Sequence, residues 1–226
     1  MAKIANVDLG DFPLLLAPME DVSDPPFRAL CKEQGCDMMY TEFISVEGLI
    51  RDATKSVAKL DIYDEERPIG IQIFGAEIDS MRRAAEIVEE AKPEVLDINF
   101  GCPVKKVVCK MAGAGILQDI DRMVSLTKEI VDATNLPVTV KTRLGWDDNT
   151  IRIEEVAERL QDIGIKALSL FTDVLVSRCI RVKRTGLVLG ILKTIHEFIY
   201  RSLGMEILIA LRRLSNTKIN MVSMES

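Results

Sequence analysis

Two hydrophobic periods alternate along the first 170 residues. Short, nearly continuous apolar runs at 13–18, 37–42, 69–74, 95–99, 137–141 and 167–170 predict buried β-strands. Between them, apolar positions recurring every three to four residues predict helices at 26–34, 79–91, 121–133 and 151–163, with a shorter helical stretch at 45–50. Ser23-Asp24 and Asp119 stand where helix starts belong, and Gly35 and Gly164 where stops belong. A charged loop is expected through Asp64-Glu65-Glu66-Arg67. Strands buried on both faces and separated by helices imply a parallel sheet, either doubly wound or closed as a (β/α)₈ TIM-type barrel. Polar or reactive residues follow several different strands: Met19-Glu20, Glu42, Gln72, Asn99 with Cys102, and Lys141 with Arg143. Strand ends can converge in that number only around a ring, which favours the barrel, here incomplete at about six β/α units.

The sharpest local signal is Asp97-Ile98-Asn99-Phe100-Gly101-Cys102-Pro103, where an amide, a glycine and a thiol leave an apolar strand. Gly101 and Pro103 stop the strand, so Cys102 is expected on a loop and not in the core. A thiol keeps its proton near neutrality yet can yield it to a developing carbanion, which makes Cys102 a candidate general acid; buried filler is the alternative for any free cysteine. Lys141 and Arg143, two residues apart on a strand, share one face. They could serve an anionic ligand, or simply bridge to Asp147 or Asp148. Gln72 and Asn99 are amides at buried strand ends that need partners. Pro18-Met19 ends the first strand as a turn, and the glycine-rich Lys110-Met111-Ala112-Gly113-Ala114-Gly115 is a weak phosphate-cradle pattern.

Composition narrows the class. A chain of 226 residues with 48% hydrophobic residues can bury a single sizeable core. No apolar run matches a bilayer's thickness, and the N-terminal residues lack a signal-peptide core, so a cytoplasmic protein is expected. Five cysteines (Cys31, Cys36, Cys102, Cys109, Cys179) show neither metal-site spacing nor a secreted framework, so reduced thiols and no metal are expected. Charge divides the chain: residues 1–170 carry 20 basic and 31 acidic side chains, residues 171–226 carry 9 and 4, and all eight prolines lie at or before Pro137.

Taken together, Leu16-Ala17-Pro18-Met19, Ile71-Gln72-Ile73-Phe74-Gly75, the Cys102 turn and Val140-Lys141-Thr142-Arg143-Leu144-Gly145-Trp146 closely resemble the tRNA-dihydrouridine synthases, from about Pro13 to Leu170. The resemblance implies a flavoprotein that reduces uridine in tRNA to dihydrouridine, with flavin mononucleotide (FMN) bound and NADPH or NADH as hydride source. It implies Cys102 as the acid that protonates the uracil carbon. Lys141, Gln72 and Asn99 are implied as flavin contacts, Asn99 also toward uracil, with Arg143 close to flavin or substrate. The backbone of Pro18-Met19 would lie against the flavin ring, and Lys105, Lys106 and Lys110 would favour an RNA backbone. Two rivals remain: an FMN-dependent reductase of a small pyrimidine or other unsaturated molecule, and a non-catalytic remnant with weak RNA binding.

After Leu170 the resemblance stops. The family continues with a His-Gly-Arg-Thr-Arg segment, whereas this chain reads Phe171-Thr172-Asp173. Joining the last base of each codon to the first two of the next, with suitable synonymous codons, lets 171–186 read His-Gly-Arg-Thr-Arg-Val-Gln-Met-Tyr-Lys-Gly-Glu-Ala-Asp-Trp. Residues from Leu203 onward then read Gly-Asn-Gly-Asp-Ile-Asp-Ser-Pro-Glu-Lys-Ala. Both resemble the missing family segments in the correct order. The expectation is therefore a partial flavin-binding barrel over 1–170 and an out-of-frame tail over 171–226, with this particular chain truncated in its site and inactive. On that reading His196 is an accident of frame.

Overall fold

The computed structural model describes residues 2–11, 13–174 and 206–210. His196, Cys179 and most of the 171–226 tail lie outside them. Two short strands, β1 (Ala2–Ile4) and β2 (Val7–Gly10), form an antiparallel hairpin. The chain then runs β3 (Leu15–Leu16), α1 (Pro25–Glu33), β4 (Met38–Tyr40), β5 (Ile44–Ser45), α2 (Val46–Leu49), α3 (Thr54–Ala58), β6 (Ile69–Phe74), α4 (Ile78–Glu90), β7 (Val95–Phe100), α5 (Lys105–Val108), α6 (Ile120–Ala133), β8 (Val138–Gly145), α7 (Ile153–Asp162), β9 (Ala167–Val174) and β10 (Glu206–Ala210).

The helices form where their local chemistry directs them. The side chain of Asp24 caps α1 by accepting from Phe27 N, and that of Asp119 caps α6 by accepting from Arg122 N. Gly35 and Gly164, with φ of +88° and +103°, follow α1 and α7 as left-handed stops. Helix α4 buries Met81, Ala84, Ala85 and Val88, one stripe at helical spacing, and leaves Arg82, Arg83 and Glu86 exposed.

The main sheet is parallel, in the order β10-β9-β8-β7-β6-β4-β3, with β5 also paired to β6. Strand order therefore follows chain order with no reversal. A doubly wound sheet reverses at a switch point; a singly wound one curls toward a barrel, and this sheet is a curled partial barrel. One face presents Ile71, Ile73, Leu96, Ile98, Phe100, Val138, Val140, Leu168 and Leu170 to α4, α6 and α7, making the principal core. At the base of the other face, Ala2, Ile4, Val7 and Leu9 of the hairpin pack with Met38, Tyr40, Val95 and Ala167.

Two expectations change. The segment 64–67 is not a plain charged loop, because Glu66 is buried there and accepts from Arg28 at 3.0 Å inside the protein. The N-terminal residues form the hairpin that covers the base of the sheet. Among the described residues, no helix is long and apolar enough to cross a membrane.

Candidate active site

Strand pleating places alternate residues on the concave face, and the parallel register aligns them in rows. Gln72, Asp97, Thr139 and Ala167 form one row; Asn99, Lys141 and Ser169 form the next toward the carboxyl ends; Arg143 and Phe171 pair beyond them. Seven polar or charged side chains thus accumulate on one face of four adjacent strands.

They are joined. Gln72 Nε2 donates to Asp97 Oδ2 at 2.5 Å, and Thr139 Oγ1 donates to Asp97 Oδ1 at 2.5 Å. Asn99 Nδ2 donates to Gln72 Oε1 at 2.9 Å. Asn99 Oδ1 in turn accepts the backbone N–H groups of Gly101 and Cys102, each at 2.9 Å. Arg143 Nε donates to Gly101 O at 2.7 Å, and Ala114 N donates to Cys102 O at 3.0 Å. The Cys102 turn is therefore held at both its N–H and its C=O groups. Cys102 does sit on a loop at the strand exit, but it is 7% exposed, so it is a recessed thiol and not a freely presented one.

The glycine-rich segment has a different use from the phosphate pattern. Gly113, at φ +52°, lies so close that a Cβ there would stand 2.9 Å from Cys102 O and 3.0 Å from Cys102 Cβ. It opens a short 3₁₀ turn, Gly113–Gln118, that packs on the Cys102 turn. Its glycine makes room for the thiol loop.

Lys141 and Arg143 share one face, as their spacing predicts, and both lie against the Phe171 ring, with Nζ 5.7 Å and the guanidinium carbon 4.7 Å from the centroid. Burial pushes the Lys141 ammonium down; Asp97 opposes that shift, Arg143 adds to it, and Cys102 opposes it. Burial pushes the Asp97 carboxyl up, against the Thr139 and Gln72 hydrogen bonds and the Lys141 charge. Pro18 and Met19 follow β3 at the same end of the sheet, both half-buried. Nearby, Lys59 ties Glu20 at 2.6 Å and Glu42 at 3.8 Å, so these two strand-end carboxylates form a braced rim.

Sequence reasoning did not identify Asp97 or Thr139 as site residues. The signal was present as polar residues at every second position of otherwise apolar strands, Asp97 with Asn99 and Thr139 with Lys141 and Arg143.

The donor set fits a flavin. Each amide nitrogen has two N–H groups and spends one within the network, Gln72 on Asp97 and Asn99 on Gln72, so each retains one. With the Lys141 ammonium they offer donors to an acceptor-rich pyrimidine ring edge.

Comparisons with known proteins bear on the family of the chain. The family profile "Dihydrouridine synthase (Dus)" matches residues 15–172. The chain is 38% identical over 157 residues to tRNA-dihydrouridine synthase B of Escherichia coli K12, covering 70% of this chain and 49% of that protein. It is 35% identical over 171 residues to a probable tRNA-dihydrouridine synthase of Rickettsia prowazekii, covering 75% and 52%. It thus spans about half the length of the curated relatives it matches. A phosphonopyruvate hydrolase crystal structure shares the fold alone, with a TM-score of 0.55 at 10% identity, covering 88% of this chain and 66% of that one. Over residues 15–172, which include the turn that holds Cys102, the match shows that this chain belongs to the dihydrouridine synthase family.

Proposed function

We propose that this chain carries the flavin and uracil half-site of a tRNA-dihydrouridine synthase, in which Cys102 protonates the uracil carbon adjacent to the one that receives hydride. When bound, FMN supplies that hydride, drawn from NADPH or NADH. The observation carrying the reading is the pinned Cys102 turn beside Lys141 at the strand carboxyl ends. Asn99 and Arg143 hold the turn, so the thiol's approach to a ring carbon is set before substrate arrives. Lys141 offers a fixed cation where a reduced flavin gathers negative charge, and Gln72 and Asn99 offer N–H donors to ring acceptors. Pro18 and Met19 supply the wall beside the ring, and Lys105, Lys106 and Lys110 give a tRNA backbone local positive charge.

The tail belongs to the same proposal. Residues after about Leu170 are an out-of-frame reading, so the chain as written binds FMN poorly and turns over little. Measuring visible flavin absorbance per chain, and dihydrouridine formed in tRNA, for this protein beside a frame-restored one tests both parts. The restored protein should be yellow and active, and the chain as written should be neither. Equal occupancy and turnover in the two would overturn the frame argument. A colourless, inactive restored protein would overturn the flavin reading and favour a remnant. Reduction of free uracil in preference to tRNA uridine would favour the small-molecule reductase.

A further inference from the structure

We infer that Asp97 is a positioning residue: as the acceptor at the inner end of a relay it dictates which way the Gln72 and Asn99 amides face, and through Asn99 it holds the Cys102 turn. A primary amide can be turned over with almost no change of shape, so packing cannot orient it; only the donors and acceptors at its ends can. At the outer end the relay meets the N–H groups of Gly101 and Cys102, which can only donate, so the Asn99 atom facing them must be oxygen. Asn99 nitrogen then faces Gln72, and Gln72 nitrogen must find an acceptor. Asp97 Oδ2 is that acceptor, and Thr139 donates to the other oxygen from the adjacent strand. Whether the carboxyl is ionised or carries a proton on its Thr139 side, Oδ2 still accepts from Gln72.

Solvent cannot substitute for these partners. Gln72 is fully buried, Asp97 is 2% exposed and Asn99 5%. A donor placed against a donor anywhere in the line would leave a buried polar group unsatisfied, and the mismatch must be absorbed at one of the two ends. The relay therefore fixes the polarity of the site as well as the turn: the hydrogen-bonding capacity left on both amide nitrogens is N–H, suited to carbonyl or imine acceptors. That last consequence rests on the flavin reading; the relay does not.

The test exchanges the relay's polarity in the flavin-free 226-residue chain. Asn99→Asp keeps an acceptor for the turn but removes the donor to Gln72. Gln72 must then turn over and set its oxygen against Asp97. In the double variant Asp97→Asn/Asn99→Asp, the amide introduced at position 97 donates to Gln72 oxygen. Gln72 nitrogen then donates to the carboxylate introduced at position 99, and that carboxylate accepts from the turn. Every link is remade in the opposite sense with composition and charge unchanged. Asp97→Asn alone is absorbed, because the Thr139 hydroxyl can rotate to accept.

Urea unfolding should show Asn99→Asp lowering the folding equilibrium constant by about 10- to 100-fold, as for a buried unsatisfied pair, with the double variant recovering most of that loss. If Asn99→Asp yields no folded protein, recovery of folded protein by the double variant is the same rescue. Losses that simply add, or a double variant no better than Asn99→Asp, would overturn the relay. Because no flavin is present, that failure is distinct from failure of the flavin reading, which absorbance reports.

Discussion

Replacing Gly113 by alanine tests whether the segment after the thiol turn is shaped to receive Cys102. Two costs combine. The φ of +52° holds the residue in the left-handed region, which charges an L-residue about 1–2 kcal/mol. The new Cβ would also stand 2.9 Å from Cys102 O, 3.0 Å from Cys102 Cβ and 3.0 Å from Val107 Cγ1, so the Cys102 turn must shift, an overpacking cost of about 1–3 kcal/mol. The protein itself provides the control: Gly35 has φ +88° and nothing within 4 Å of its missing Cβ, so Gly35→Ala carries the conformational cost alone. Urea unfolding should place Gly113→Ala about 1–3 kcal/mol below Gly35→Ala. Peptide-resolved alkylation should show Cys102 reacting faster in Gly113→Ala, because moving the turn strains the Asn99 and Ala114 bonds that recess the thiol. Equal destabilisation by the two alanines, with Cys102 reactivity unchanged, would refute the argument.

In a frame-restored protein, Cys102→Ala should cut dihydrouridine formation about 100- to 10,000-fold while leaving flavin absorbance intact; loss of flavin in parallel would make the residue structural. Lys141→Ala should show the reverse balance, weakening flavin binding or its reduction by the nicotinamide coenzyme, and unchanged flavin titration and reduction rates would remove Lys141 from the cofactor site. Arg28→Met strands the buried Glu66 carboxylate and should cost about 3–5 kcal/mol, whereas adding Glu66→Gln should recover part of it; a smaller single loss than double loss in urea unfolding would contradict this. Burial raises the Asp97 carboxyl, so the stability it contributes is full below the unfolded carboxyl range and lost as pH rises through its folded value. The urea stability of the wild type minus that of Asp97→Asn should therefore fall from acid toward neutral pH, and a pH-independent difference would show that Asp97 titrates alike folded and unfolded.

The parts of the fold legible in the sequence were those where one period ran undisturbed. Strand β6 spans the predicted 69–74, and α6 begins one residue before its predicted start and ends at the predicted Ala133, because a capping aspartate precedes an uninterrupted apolar stripe. Strand β8 continues to Gly145, four residues past the predicted end, because β9 keeps pairing with it beyond a register shift between Arg143 and Gly145. Such pairing is a tertiary fact that no local pattern carries. The hairpin was readable in principle, since Ala2, Ile4, Val7 and Leu9 are buried with Lys3 and Asp8 exposed between them, but its strands of three and four residues are too short to stand out. Glu66 is hidden for a different reason: its partner Arg28 lies 38 residues away. At the site, the strand ends were legible from Gln72, Asn99, Cys102, Lys141 and Arg143. What the sequence concealed was that the two amides are engaged with each other and with Asp97.

The N-terminal hairpin gives the curled sheet a chord. Its four apolar side chains pack with residues from β4, β7 and β9, strands well separated along the arc. An arc tied by a chord keeps its radius without becoming a full circle, so the curvature that brings Gln72, Asn99 and Lys141 toward one centre does not depend on the last strands closing against the first. Cutting the chord would let the arc relax and the three side chains spread apart.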